Sequence, residues 1–179
     1  MTNQRVAFII DQMFEDSEFR VPYERIKSAG YEVVIIGREA GTTLKGKKGK
    51  ETIKTEKSIR EVFPDDYAAL VIPGGYSPDH LRTDSRMVAF TRSIFSSGKP
   101  LAAVCHAGWM LAEADILEDR TVTSWPSIKT DLINAGANWV DREVVEDGNL
   151  ITSRKPDDLE AFSAAIIRQL QDQARHAAH

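Results

Sequence analysis

Short apolar runs alternate with longer amphipathic stretches along most of the chain. "RVAFII", "YEVVIIG", "YAALVIP" and "PLAAV" are rich in β-branched and aliphatic residues and predict buried strands. Helical spacing fills the gaps between them. "SEFRVPYERIKSAG" predicts a helix closed at Gly30, with Pro22 near its first turn or at a kink. "SRMVAFTRSIFSSG" sets Met87, Phe90 and Ile94 on one face and stops at Gly98. "AGWMLAEADIL" resumes as helix after "PLAAV", and "SIKTDLINAG" is a short helix ending at Gly136. "REVVEDGNLITS" predicts a hairpin around Asp147-Gly148. "PDDLEAFSAAIIRQLQDQ" predicts a last helix with Pro156 near its start, an inward stripe of Leu159, Phe162, Ile166 and Leu170, and a tail fraying from about residue 173 to 179. The segment 38–66 is polar and less periodic, with room for a short strand or hairpin.

A strand–helix–strand opening favours a parallel sheet with a right-handed crossover. No linker, repeat or low-complexity tract interrupts the pattern. The expectation is one α/β domain over residues 1–179, a three-layer sandwich with a mostly parallel sheet and helices on both faces.

Composition narrows the function classes. With 179 residues, 42% hydrophobic and 28% charged, the chain is long enough to bury a sizeable core and has an ordinary globular balance. A net charge of -4 argues against broad nucleic-acid binding. No apolar run approaches the roughly 20 residues that span a bilayer. The N-terminal stretch enters a strand pattern without a signal-peptide h-region, so a cytoplasmic location with no membrane partner is expected. A single cysteine cannot close an internal disulfide.

That cysteine, Cys105, follows an apolar strand and precedes a helix. Sites in open α/β sheets lie beyond the carboxyl ends of strands, and a helix N-terminus there favours a thiolate and lowers its pKa. His106 beside it can be base, substrate-orienting group or structural residue, and adjacent residues at a sharp turn need not touch. "VIPGGYSPDHLR" reaches the same edge, where Gly74 and Gly75 either bare their amides for an oxyanion or simply serve a tight turn. "DQMFEDSEF" brings Asp11, Glu15, Asp16 and Glu18 to that edge, and the local pattern does not distinguish a site carboxyl from a helix cap. "GTTLKGKKGK" nearly spells a phosphate-binding loop, but Lys48 stands where a hydroxyl residue is required, so it reads as a flexible basic loop. The histidines His80, His106, His176 and His179 have no metal-ligand spacing.

In this order, "FEDSEFRVPYERIKSAGYEV", "DYAALVIPGGYSPDHLR", "AAVCHAG" and "LEDRTVTSWPSIKTDLINAGANWVDREVVEDGNLITSRKPDDL" make the chain resemble the PfpI family of the DJ/PfpI superfamily, with its flavodoxin-like, class I glutamine-amidotransferase-like fold. The resemblance implies that Cys105 is the nucleophile on a strained elbow, His106 its base or activator, and Glu18 the carboxyl that hydrogen-bonds the sulfur. It places Gly74, Gly75, the His106 amide, Ala107 and Trp125 around the oxyanion or substrate. Asp79 falls where the family has a glutamate offered to the histidine by a neighbouring subunit, one methylene shorter here. Ala107-Gly108-Trp109 replaces the family's usual Gly-Pro after Cys-His, and Trp125 replaces a common tyrosine. Family members are described as peptidases, glyoxalases, deglycases, chaperones and oxidation sensors, none with a metal or dissociable cofactor. The implied partners are a small carbonyl or glycated substrate, peptides, and a second copy in a homodimer or higher oligomer. The function expected is thiolate attack on small carbonyls, with a non-catalytic oxidative-stress sensor as the alternative.

Overall fold

The computed structural model describes residues 4–177. Its centre is a seven-stranded sheet in the order β10-β11-β7-β6-β1-β2-β5. These strands are β1 (Arg5–Ile9), β2 (Glu32–Gly37), β5 (Lys57–Ser58), β6 (Ala69–Ile72), β7 (Leu101–Val104), β10 (Val144–Asp147) and β11 (Leu150–Ser153). All neighbours run parallel except β10, which pairs antiparallel with β11. The hairpin loop is Gly148-Asn149, one residue beyond the expected turn, because Asp147 still pairs with Leu150.

Strand residues alternate between two cores. Ala7, Ile9, Leu70, Ile72, Leu101 and Ala103 face one cluster, with Met87, Phe90 and Ile94 from α3 (Ser85–Ser96). Val6, Phe8, Ala69, Val71, Ala102 and Val104 face the other, with Phe19 and Ile26 from α1 (Asp16–Ser28) and Phe162, Ile166 and Leu170 from α6 (Leu159–Ala177). A sheet buried on both faces needs such near-continuous apolar strands. The sandwich is therefore the three-layer α/β arrangement that the alternating pattern predicts.

Several local expectations shift. Pro22 sits inside α1, beyond its first turn, where its missing N–H leaves the Glu18 carbonyl without its helical donor. The helix after Cys105, α4 (Gly108–Glu113), stops well before Leu117, and Asp115 turns the chain at φ 56°. Helix α6 continues to Ala177, past the point where fraying was expected; residues 178 and 179, His179 included, lie outside the described residues. The segment 38–66 holds a separate hairpin of β3 (Thr43–Lys45) and β4 (Thr52–Lys54), while β8 (Thr121–Val122) and β9 (Asn138–Trp139) form a small parallel pair. The remaining helices are α2 (Ser77–Leu81) and α5 (Lys129–Asn134).

Chain order reverses between β1 and β6: the chain leaves β1 for β2 on one side and returns to β6 on the other. Ligands in such sheets bind at this switch point, beyond the strand carboxyl ends. Three connections converge there: residues 10–15 after β1, residues 73–76 after β6, and Cys105 after β7.

Candidate active site

Cys105 turns the chain sharply out of β7 with φ 61°, a left-handed conformation that costs a non-glycine residue on the order of 1–3 kcal/mol. The surroundings enforce it. The Cys105 carbonyl accepts from the Trp125 amide at 3.3 Å, and a short 3-10 turn over residues 105–107 leads into α4. Gly74 leaves the needed space, since a Cβ there would lie 2.5 Å from Glu18 Oε1 and 3.0 Å from the Cys105 Cβ. The sulfur-bearing residue is 9% exposed.

The elbow brings its two neighbours into contact after all: Cys105 Sγ lies 3.3 Å from His106 Nδ1. The other ring nitrogen, Nε2, is 3.3 Å from Ser127 Oγ. Burial, and next the charge of Lys47, lower the His106 pKa from its ordinary value. The ring is therefore a neutral base at neutral pH, and a hydroxyl on Nε2 lets Nδ1 present its lone pair to the thiol.

Glu18 is wholly buried beneath them. Its Oε1 accepts from the Gly74 amide at 2.8 Å, while Oε2 lacks a conventional hydrogen-bond partner and the carboxyl interacts with the Cys105 thiol. Burial, reinforced by the charge of Glu15, raises the Glu18 pKa to about 8, so the carboxyl carries its proton at neutral pH. Cys105 does not have the lowered pKa expected of a cysteine preceding a helix. Burial foremost, and then the charge of Glu18, push the thiol up, against smaller pulls from the His106 amide and Lys47. The helix that follows is short and starts only at Gly108. The resting sulfur is thus a thiol, and a neutral Glu18 removes the repulsion that would oppose its ionisation.

A cavity of about 130 Å³ is lined by Lys47, Gly75, Tyr76, His106 and Trp109, the histidine being the residue that also touches the sulfur. Gly75 has φ 79°, and a Cβ there would fall 2.4 Å from the Glu15 nitrogen, so glycine is required by both angle and space. Trp109 packs against His106 with ring centroids 5.2 Å apart and donates from Nε1 to Asp131 Oδ2 at 2.9 Å. Lys47 arrives from the β3–β4 loop, which is firmly tied rather than free. The Asp16 carboxylate accepts from the amides of Lys48, Lys50 and Glu51 at 2.8–2.9 Å, and Lys47 N donates to the Phe14 carbonyl at 2.8 Å. The loop is an anion cradle filled by the chain's own carboxylate, made possible by Gly46, whose Cβ would meet Asp16 Oδ2 at 2.2 Å.

Other expected site residues stand differently. The Gly74 amide is spent on Glu18 and is not available to an oxyanion. The Ala107 side chain is buried in the core on one face of the sheet rather than on the cavity wall. Trp125 reaches the elbow through its backbone, with its side chain 39% exposed and outside the cavity lining. Asp79 is exposed on α2, without a hydrogen bond or ion pair to His106 within the chain. Ser127 and Lys47 were missed. Lys47 lay within "GTTLKGKKGK", read as a flexible basic loop, and Ser127 had no motif to mark it; each gains its role only when distant segments meet. Among the described residues no three His, Cys, Asp or Glu side chains converge as a metal site. A larger open groove of about 440 Å³ lies at the amino ends of β7 and β11, but its polar groups are engaged with one another, Arg168 with Glu146 and the Asn149 amide with the Phe95 and Lys99 carbonyls.

A parallel sheet carrying a strained cysteine elbow, with a buried carboxyl beneath it and a histidine beside it, defines a cysteine-site α/β protein. The chain belongs to the DJ-1/PfpI family, whose sequence profile matches residues 4–169. It is 47% identical to protein/nucleic acid deglycase 2 of Escherichia coli (strain K12), across 94% of this chain and 98% of that protein. A Bacillus subtilis (strain 168) protein named as a candidate cysteine protease, YraA, is 43% identical across 94% of this chain and 99% of its own length. The crystal structure of Drosophila melanogaster DJ-1beta superposes with a TM-score of 0.86 at 29% identity, covering 99% of this chain and 98% of that one. Among the described residues no helix is long and apolar enough to cross a membrane.

Proposed function

We propose that the protein is a cysteine-dependent enzyme that adds Cys105 to small reactive carbonyls, in the manner of a glyoxalase or deglycase. The observation that carries this reading is the contact of Sγ with a neutral His106 Nδ1 at 3.3 Å, beside a cavity of about 130 Å³. That volume suits a two- or three-carbon carbonyl; sites for drug-sized ligands run to about 300–1,000 Å³. An extended peptide does not fit within it.

In this scheme His106 Nδ1 takes the thiol proton as sulfur attacks the carbonyl carbon, forming a C–S bond and opening the C=O π bond. The oxygen gains that proton and becomes a hydroxyl. Gly75, at the cavity wall, is the backbone group proposed to face the oxygen. With methylglyoxal, a proton then passes from the first carbon to the second and the hydroxyl proton passes from the first carbon's oxygen to the second's, giving a thioester; water then cleaves the C–S bond, releasing lactate and restoring the thiol. The overall change is methylglyoxal plus water to lactate. Consumption of methylglyoxal by wild type and by Cys105→Ser tests the scheme: loss of the activity in the variant is expected, and equal rates would remove Cys105 from the reaction. Release of amines from methylglyoxal-treated peptides measures the deglycase branch on the same pair.

A second reading follows from Glu18 Oε2, buried without a conventional partner beside the sulfur. A protonated carboxyl there can donate to a sulfur-bound oxygen, favouring an oxidised, sensor form. Two equivalents of peroxide convert the thiol to a sulfinic acid with release of two waters. Intact mass after graded peroxide checks it, with an unmodified thiol at moderate peroxide counting against a sensor.

A further inference from the structure

We propose that the cavity selects carbonyl compounds bearing an anionic group beside the carbonyl, and that Lys47 sets this preference. The inference rests on the carbonyl-addition reading above and names its substrate class: a small aldehyde or ketone with an adjacent carboxylate or phosphate.

The charge count at the cavity is positive. Glu15, 4% exposed, is shared by two ammonium groups, with Lys47 Nζ 2.9 Å from Oε2 and Lys48 Nζ 2.9 Å from Oε1 in an ion-pair contact. One carboxylate against two lysines leaves an excess positive charge at Glu15, since the neighbouring Asp16 carboxylate faces the loop amides and pairs with neither ammonium. Lys47 is the lysine of this pair that lines the cavity. The other groups facing the space do not cancel it. His106 is neutral at rest, as is the Cys105 thiol it touches, and Gly75, Tyr76 and Trp109 contribute no carboxylate. Glu18 lies below the floor and carries its proton at neutral pH. Behind Trp109, Arg82 stacks on the indole at 5.6 Å from the ring centroid and pairs with Glu113 at 3.0 Å, so that cation is already matched.

Lys47 is also held in place, which a lysine on a hairpin usually is not. Its amide is fixed on the Phe14 carbonyl and its ammonium on Glu15, with Tyr76 beneath it at 5.8 Å. The hairpin tip is fixed in turn by the three amides that bond Asp16. A pre-positioned cation in a partly enclosed space attracts an anion far more than a mobile surface lysine does, because little ordering cost remains.

Glyoxylate and glyoxylamide form a matched pair of probes. Both present an aldehyde to Cys105, and only glyoxylate carries a carboxylate beside it. Addition joins Sγ to the aldehyde carbon and moves the thiol proton to the new hydroxyl, with no leaving group. As inhibitors of methylglyoxal turnover, glyoxylate is expected to bind about ten-fold more tightly than glyoxylamide to wild type, equivalent to about 1.4 kcal/mol. Comparing the two within each variant cancels any change in the nucleophile itself. Lys47→Arg is expected to keep the preference and Lys47→Met to abolish it, with thermal melts showing both variants folded, and rising salt should erode it in wild type. Equal inhibition by the two compounds in wild type overturns the inference, as does a preference that survives Lys47→Met. Calorimetric titration of both compounds gives the same ratio without turnover. The parent reading fails separately, through equal methylglyoxal consumption by wild type and Cys105→Ser.

Discussion

Asp16 and Glu18 stand two residues apart in the first turn of α1, both almost fully buried, and they hold opposite charge states. For Asp16, burial alone would raise the pKa, but the amides of Lys48, Glu51 and Lys50 together outweigh it and hold the carboxyl below its usual value. Glu18 lies deeper, beside the charge of Glu15, and has one amide, from Gly74; burial first and that charge second raise its pKa to about 8. The difference is the depth of burial, the Glu15 charge beside Glu18, and the count of donors aimed at each oxygen pair. One acid becomes a structural anion that builds a loop, the other a proton carrier under a thiol.

The sharpest way to break this contrast is to remove the anion. Asp16→Ala leaves three loop amides without their acceptor and should cost about 3 kcal/mol, a fall of roughly 6–12 °C in melting temperature for a chain this size. Activity should drop as well, since the loop carries Lys47. Denaturant unfolding and turnover of the same preparation check both.

Stability against pH should run in opposite directions at the two positions. The Asp16 carboxyl stabilises the fold above its unfolded pKa near 3.8, a gain lost as pH falls through its lower folded value. Glu18 is raised in the fold, so its contribution is full below about 4.5 and is lost as pH rises toward about 8. Relative to wild type, Glu18→Gln should therefore gain stability, by a few kcal/mol, between these values and change little above them, whereas Asp16→Asn should lose ground as pH rises through the acid range. Parallel curves for the two variants would contradict the assignment.

Smaller effects concern the histidine. Ser127→Ala should lower kcat/KM about two- to five-fold and shift its pH profile by freeing Nε2, with Ser127→Thr restoring most of both. Smallest is the shift in the acid limb of the kcat/KM profile, which should lie below the ordinary imidazole value in wild type and move up in Lys47→Met, because Lys47 is, after burial, the second cause lowering His106.

Much of this architecture was legible in the chain. The apolar runs marked the central parallel strands, since burial on both faces permits no polar alternation. Cys105 after "PLAAV" pointed to the elbow by position alone. The charge states were not legible. The thiol was expected to be acidic because a helix follows it, but burial foremost keeps it protonated, and that burial is completed by segments far away in the chain, among them the one carrying Glu18, 87 residues upstream. "GTTLKGKKGK" looked flexible because the carboxylate that orders it, Asp16, lies about thirty residues upstream. Ser127 likewise meets His106 only across 21 residues of intervening chain.

The β3–β4 hairpin is not hydrogen-bonded into the main sheet. It is a two-stranded unit whose tip is plugged by one carboxylate from α1 through the gap that Gly46 leaves. Variation there can alter what the protein accepts without disturbing the scaffold that makes the cysteine react. Evolution or an engineer could exchange this segment as a cassette, provided the plug and its socket travel together.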